Sequence, residues 1–140
     1  MIAQHDLESH YCILLVENDP GCRKLAESIL SHLGFQCITA QNGAEALRFA
    51  QIAQIDLIIT DITLPDGDGL QIAQSIRTLK KYGDLPLIFV TGLSDIESRM
   101  KATGITGVTA IQKPYRVAQF RQVVVKTLEH TPTEQEGLRS

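Results

Sequence analysis

Residues 56–69 read Asp-Leu-Ile-Ile-Thr-Asp-Ile-Thr-Leu-Pro-Asp-Gly-Asp-Gly, DLIITDITLPDGDG. Leu57, Ile58, Ile59 and Thr60 form a short apolar run bounded by Asp56 and Asp61. A run of four with no polar alternation reads as a strand buried on both faces, which is the habit of parallel sheets. Asp61 closes that strand. The Pro-Asp-Gly-Asp-Gly stretch is loop chemistry, with Asp66 and Asp68 shaping the turn. Leu70, Ile72, Ala73 and Ile76 follow at helical spacing with apolar side chains to turn inward.

The same strand–loop–helix unit extends in both directions. Upstream, Cys12–Val16 is a second continuous apolar run, followed by Asp19-Pro20, an N-cap and a first-turn proline. Leu25, Ile29, Leu30 and Leu33 mark the inner face of the helix, and Gly34 its stop. Phe35–Ala40 reads as another strand. Asn42-Gly43-Ala44-Glu45 has the form of a capping box, with Ala46, Leu47 and Ala50 inward. Downstream, Leu85-Pro86 opens a strand through Leu87–Val90, and Ser94 or Asp95 can cap a short helix that Gly104 ends. Val108–Gln112 is the fifth strand, and Phe120, Val123, Val124 and Leu128 suit a last helix. Five strand–helix units in one run predict an α/β domain, a parallel sheet with helices on both faces.

The chain has 140 residues, 44% apolar and 21% charged, with a formal charge of −3. That fits one globular domain. The weak charge argues against direct nucleic-acid binding, and no apolar run reaches the ~20 residues of a membrane span. Residues 1–10 are expected to be a frayed N-terminal segment, 11–130 the domain and 131–140 a polar tail. Cys12, Cys22 and Cys37 lack C-x-x-C spacing; Cys12 and Cys37 fall in apolar runs and read as small hydrophobes, which suits a reducing cytoplasm. Asp56 is expected to be a solvated strand-entry residue, Arg77, Lys80 and Lys81 a solvated helix end, and His5, His10, His32 and His130 surface residues.

Ligands of open parallel sheets bind beyond the carboxyl ends of the strands. The first strand ends in Glu17-Asn18-Asp19, the third in Asp61, the fourth in Thr91-Gly92 and the fifth in Lys113. A carboxylate can attack phosphorus and carry the phosphoryl group as an acyl phosphate. Its obstacle is charge, which a divalent cation and an ammonium relieve. Mg²⁺ takes oxygen ligands, which Asp61 with Glu17 or Asn18 can supply. Lys113 supplies a positive point charge and Thr91 a hydroxyl donor.

The segments ILLVENDP, DLIITDITLPDGDG, PLIFVTG and IQKPY, in that order, resemble a response-regulator receiver domain of two-component signalling, from about Tyr11 to His130. The resemblance implies a flavodoxin-like, doubly wound five-stranded parallel sheet in the order 2-1-3-4-5. It implies that Asp61 is the phosphoacceptor, Thr91 the switch hydroxyl and Lys113 the phosphate-sensing lysine. Mg²⁺ would be held by Glu17, Asn18, Asp61 and the backbone carbonyl of Thr63, and the Lys113–Pro114 bond would be cis. The implied donor is a phosphohistidine on a sensor histidine kinase or a phosphotransfer protein, and the domain would switch its partner contacts without being an enzyme beyond self-phosphorylation and slow autodephosphorylation. A docking face on the fourth and fifth helices is implied likewise.

Three positions depart from the family pattern. Asn18 stands where a second acid is usual, which predicts weaker Mg²⁺ binding. Ala110 stands where an aromatic ring usually reports the movement of the switch hydroxyl. Leu93, two residues after Thr91, cannot orient an attacking water, which predicts a phosphoryl lifetime of minutes or longer. Two other functions are weighed. One is a receiver-like scaffold that works without phosphorylation. The other is an aspartate-nucleophile phosphatase of the haloacid-dehalogenase type, which places its nucleophile on the first strand.

Overall fold

The structure, a computed structural model, describes residues 11–79, 82–92, 100–101, 104–105 and 107–129. Residues 1–10 and 130–140, Lys80, Lys81, Leu93, Ser94 and Asp95 lie outside that set, and so do His5, His10 and His130. The described elements are β1 (Cys12–Val16), α1 (Pro20–His32), β2 (Gln36–Ala40), α2 (Gly43–Ile52), β3 (Leu57–Thr60), β4 (Thr63–Leu64), β5 (Gly67–Asp68), α3 (Gly69–Arg77), β6 (Leu87–Thr91), β7 (Val108–Gln112) and α4 (Val117–Glu129).

The five longer strands form one parallel sheet in the order β2-β1-β3-β6-β7. Counting only those strands, this is the expected 2-1-3-4-5. β4 and β5 make a separate two-residue antiparallel ladder within the stretch expected to be loop.

The central strands are buried on both faces, so their side chains divide alternately between two cores. Leu14, Val16, Ile58, Leu87 and Phe89 pack with Ala46 and Ala50 of α2 and Leu70, Ala73 and Ile76 of α3. Ile13, Leu15, Leu57, Ile59, Ile88 and Val90 pack on the other face with Ala26, Ile29 and Leu30 of α1 and Phe120, Val124 and Leu128 of α4. Each large aliphatic side chain so buried contributes about 1.5–3 kcal/mol of transfer free energy. The edge strands β2 and β7 are only partly buried. The sheet is therefore bound by two independent apolar layers, and its polar strand ends are pushed to the rims.

Local signals set the helix ends. Asp19 caps α1, its carboxylate accepting from the Cys22 N–H at 2.8 Å, with Pro20 at the first position. Gly34 follows α1 with φ of +89°, where an L side chain would be strained. Asn42 caps α2 through the Glu45 N–H at 2.8 Å, but Glu45 reaches back to Gln41 N rather than to Asn42 N. At the end of the expected fourth helix, Gly104 takes φ of +70° and donates to Lys101 O at 3.1 Å. The start of that helix lies outside the described residues.

Three sequence expectations need correction. Leu25 is 45% exposed rather than inward, because the buried stripe of α1 is centred on Ala26, Ile29 and Leu30. Arg77 is not a solvated helix end: its guanidinium donates to Leu85 O at 2.7 and 3.0 Å and to Gly107 O at 3.3 Å. Asp56 is half-buried and accepts from Cys12 N at 2.7 Å, and burial raises its carboxyl pKa above the ordinary value.

Candidate functional site

The site is built where β1, β3, β6 and β7 end. Parallel pairing sets the strands in register, Val16 beside Thr60 and Thr91 beside Gln112. The residues that follow emerge at one edge. The backbone continues the ladder past the strands: Glu17 N donates to Ala40 O at 2.9 Å, Asp61 N to Val16 O at 3.2 Å and Lys113 N to Thr91 O at 2.8 Å. The chain then bends at a cis Lys113–Pro114 bond, as the resemblance implied.

The Lys113 ammonium bridges two carboxylates, with Nζ 2.5 Å from Glu17 Oε1 and 2.9 Å from Asp61 Oδ2. Glu17 is buried, 7% exposed, although it carries a charge. Such a group is stable only when paired and hydrogen-bonded. Its other oxygen, Oε2, accepts from the Asp19 N–H at 3.1 Å. Asp61 Oδ1 accepts from the Thr63 N–H at 3.1 Å. Burial lowers the pKa of Lys113, but the hydrogen bonds it donates to Glu17 and Asp61 and their negative charge more than offset it, so the ammonium is held above its ordinary value.

Two local features fix the backbone on either side of the cluster. A Cβ on Gly69 would stand 2.0 Å from Asp61 O, so only glycine lets α3 begin this close to the Asp61 backbone. Gly69 N also donates to Ile62 O at 2.6 Å. On the other side, Arg23 reaches back from α1 to Glu17 O at 3.0 Å and Asn18 O at 3.2 Å, holding the turn that presents Glu17 and Asn18.

The structure therefore brings Glu17, Asp61 and Lys113 into direct contact. Asn18 and Thr63 are exposed on the flanking loops, and Thr91 is 1% exposed at the end of β6. Leu93 falls outside the described residues. Ala110 is half-buried, opposite Phe89 in the sheet and against the α2–α3 core. Beside Lys113 lies an open, mostly apolar pocket of about 390 Å³, lined by Cys22, Leu25, Pro114 and Tyr115. Sequence reasoning missed it because it placed Leu25 inside. Tyr115 stacks on Phe120 with centroids 4.9 Å apart, which holds one wall of this pocket to α4.

Two carboxylates that share one ammonium keep a net negative charge at the sheet edge. Glu17 and Asp61 present oxygen ligands there. Among the described residues no three His, Cys, Asp or Glu side chains cluster as a metal site, so a cation here would draw on two acids and neutral oxygens.

The family pattern of a response regulator receiver domain matches residues 13–125. The chain belongs to the response regulator receiver domain family. Receiver domains act in two-component signalling, and their relatives here are regulators. A probable transcriptional regulator ycf27 of Guillardia theta is 31% identical over 90% of this chain and 48% of its own length. The transcriptional regulatory protein GlrR of Escherichia coli is 31% identical over 85% of the chain and 26% of its own length. The chain spans about half the length, or less, of the curated relatives it matches. The receiver fold is equally plain in solved structures. The chemotaxis response regulator CheY4 of Vibrio cholerae superposes with a TM-score of 0.78 at 24% identity, covering 84% of this chain and 98% of that one. The response regulator TrrA of Thermotoga maritima, solved in complex with Mg²⁺ and BeF, gives 0.74 at 31% identity, covering 84% and 99%. Asp61 follows β3 in this receiver, not the first strand that the haloacid-dehalogenase alternative requires. No helix among the described residues is long and apolar enough to cross a membrane.

Proposed function

We propose that this receiver accepts a phosphoryl group on Asp61 from a phosphohistidine of a sensor histidine kinase or phosphotransfer protein, and that the charge rearrangement alters its partner contacts. One observation carries the proposal: the buried Glu17 and the Asp61 carboxylate share a single ammonium, 2.5 and 2.9 Å away respectively. In the reaction an Asp61 oxygen forms a bond to phosphorus while the donor's P–N bond breaks, its electron pair staying on the imidazole nitrogen. The incoming dianion competes for Lys113, which leaves its carboxylate pairs to meet a phosphoryl oxygen. The Thr91 hydroxyl donates to a second one.

The oxygen ligands that Glu17, Asn18, Asp61 and Thr63 can offer suit a hard divalent cation. Glu17, Asn18, Asp61 and the Thr63 carbonyl would hold Mg²⁺, which when bound neutralises charge on the transferring group. Asn18 brings an oxygen without a charge. The pocket lined by Leu25, Pro114 and Tyr115 offers a donor's apolar surface a contact beside the acceptor.

Asn18 and Ala110 favour a second reading, a receiver that binds partners without phosphorylation. The two are separated by incubating the protein with acetyl phosphate and Mg²⁺ and measuring intact mass. The first predicts one phosphoryl adduct, absent from Asp61→Asn. An unmodified wild-type protein would favour the second.

A further inference from the structure

The loop that carries both Asp61 and Thr63 is fastened at its far end by one side chain. β4 and β5 pair only Thr63 with Asp68 and Leu64 with Gly67. A ladder this short does not hold itself in water. Its base is fixed by Asp61, Ile62 and Gly69, and Leu64 is buried in the α2–α3 core. Its tip, Pro65-Asp66, projects to the N-terminus of α2. There Asp66 Oδ1 accepts from Gly43 N at 2.8 Å and Oδ2 from Ala44 N at 3.0 Å. Both carboxylate oxygens are engaged, each by a backbone N–H that no turn of the helix can use. These two bonds lower the carboxyl pKa of Asp66.

Asp66 does not serve the helix alone. Asn42 already caps α2, and Glu45 secures the preceding Gln41. The Asp66 bonds add a tie between two elements 22 and 23 residues apart in sequence. Thr63 is exposed between the buried Ile62 and Leu64. The direction of its carbonyl therefore depends on both ends of the ladder being held.

We infer that Asp66 is a positioning residue for the cation site: by tying the hairpin tip to α2 it sets the Thr63 carbonyl. The dependence is sharpened in this chain, because Asn18 removes one charge from the site and leaves more of the binding to neutral oxygens whose placement must be right. This rests on the Mg²⁺ set proposed above.

The test is a Mg²⁺ titration of the whole chain followed by backbone amide shifts of Asp61–Thr63, with thermal unfolding recorded alongside. Asp66→Ala should raise the half-saturating Mg²⁺ concentration roughly tenfold, as lost outer-shell partners do. Asp66→Asn, which keeps one acceptor oxygen but neither the second nor the charge, should fall between. Asn42→Ala is the control, since it removes a cap from the same helix without touching the hairpin. It should lower the unfolding temperature and leave half-saturation unchanged. Half-saturation equal to wild type in the Asp66 variants, or equal weakening in Asn42→Ala, overturns the inference. If Asp66→Ala fails to fold, Asp66→Asn carries the same comparison. A wild-type protein with no Mg²⁺ response would sink the cation set and this inference together; a responsive wild type with unmoved Asp66 variants would sink this inference alone.

Discussion

The two rims of the sheet handle buried polar groups in opposite ways. At the amino ends, side chains are spent on backbone. The Tyr82 hydroxyl lies 2.9 Å from Ala50 O and 2.6 Å from Ala53 O and accepts from Ile55 N at 3.1 Å. Arg77 grips Leu85 O and Gly107 O, and Asp56 accepts from Cys12 N. At the carboxyl ends Arg23, Glu17 and Asp61 also meet backbone, but Lys113 is spent on two other side chains, Glu17 and Asp61. A bond to backbone cannot be reassigned without unfolding something. A bond between side chains can be handed to an arriving anion or cation at little structural cost. The first rim is a fastening; the second holds bonds that can be exchanged, as the proposed phosphoryl transfer requires.

Substitutions at the two rims should separate stability from chemistry. The largest effect is at the carboxyl rim. Asp61→Asn should abolish the phosphoryl adduct in intact mass, yet stay within about 1 kcal/mol of wild-type stability in urea unfolding, because Lys113 keeps its pair with Glu17 and one hydrogen bond is worth about that much net. Tyr82→Phe is its mirror image. It removes the acceptor of the Ile55 N–H and the donor beside Ala50 O and Ala53 O, and should cost about 1–3 kcal/mol in the same unfolding assay while the adduct still forms. Asn18→Asp restores an acid beside the cation. One added charge is worth on the order of 1–4 kcal/mol between water and a protein surface, so Mg²⁺ half-saturation should tighten about fivefold or more.

The smallest effect tests the amino rim by pH. Burial raises the Asp56 pKa, so its ionised form disfavours folding. The stability it contributes is present below the unfolded pKa, about 4, and is lost as pH rises through the folded value. Asp56→Asn keeps an acceptor for Cys12 N and removes the charge. It should raise the unfolding temperature at pH 7 and lose that advantage as the pH approaches 4. An equal gain at both pH values would contradict the burial argument.

Most of the carboxyl rim was legible in sequence. Doubly buried strands announce themselves as unbroken runs such as Leu57–Thr60, and each run ends at a residue whose polarity is conspicuous against it. Asp19-Pro20 and Asn42-Gly43 mark helix starts by chemistry that acts within three residues. The amino rim was not legible. The partners of Arg77 and Asp56 are backbone groups, Leu85 O, Gly107 O and Cys12 N, and any residue type can supply those. The two-residue ladder of Thr63–Asp68 is too short to carry a period. Leu25 was misplaced because i, i+4 spacing gives the existence of a stripe more reliably than its centre, and a shift of one residue to Ala26 turns Leu25 toward the pocket beside Lys113.

The difference between the rims is tested most directly by titrating the protein with beryllofluoride in Mg²⁺ and following its ¹H–¹⁵N spectrum. Shifts should gather at residues 17–19, 61–63, 91–92 and 113–115, with Asp56, Arg77 and Tyr82 unmoved. A spectrum that does not change, or one whose changes centre on the amino rim, would contradict the account.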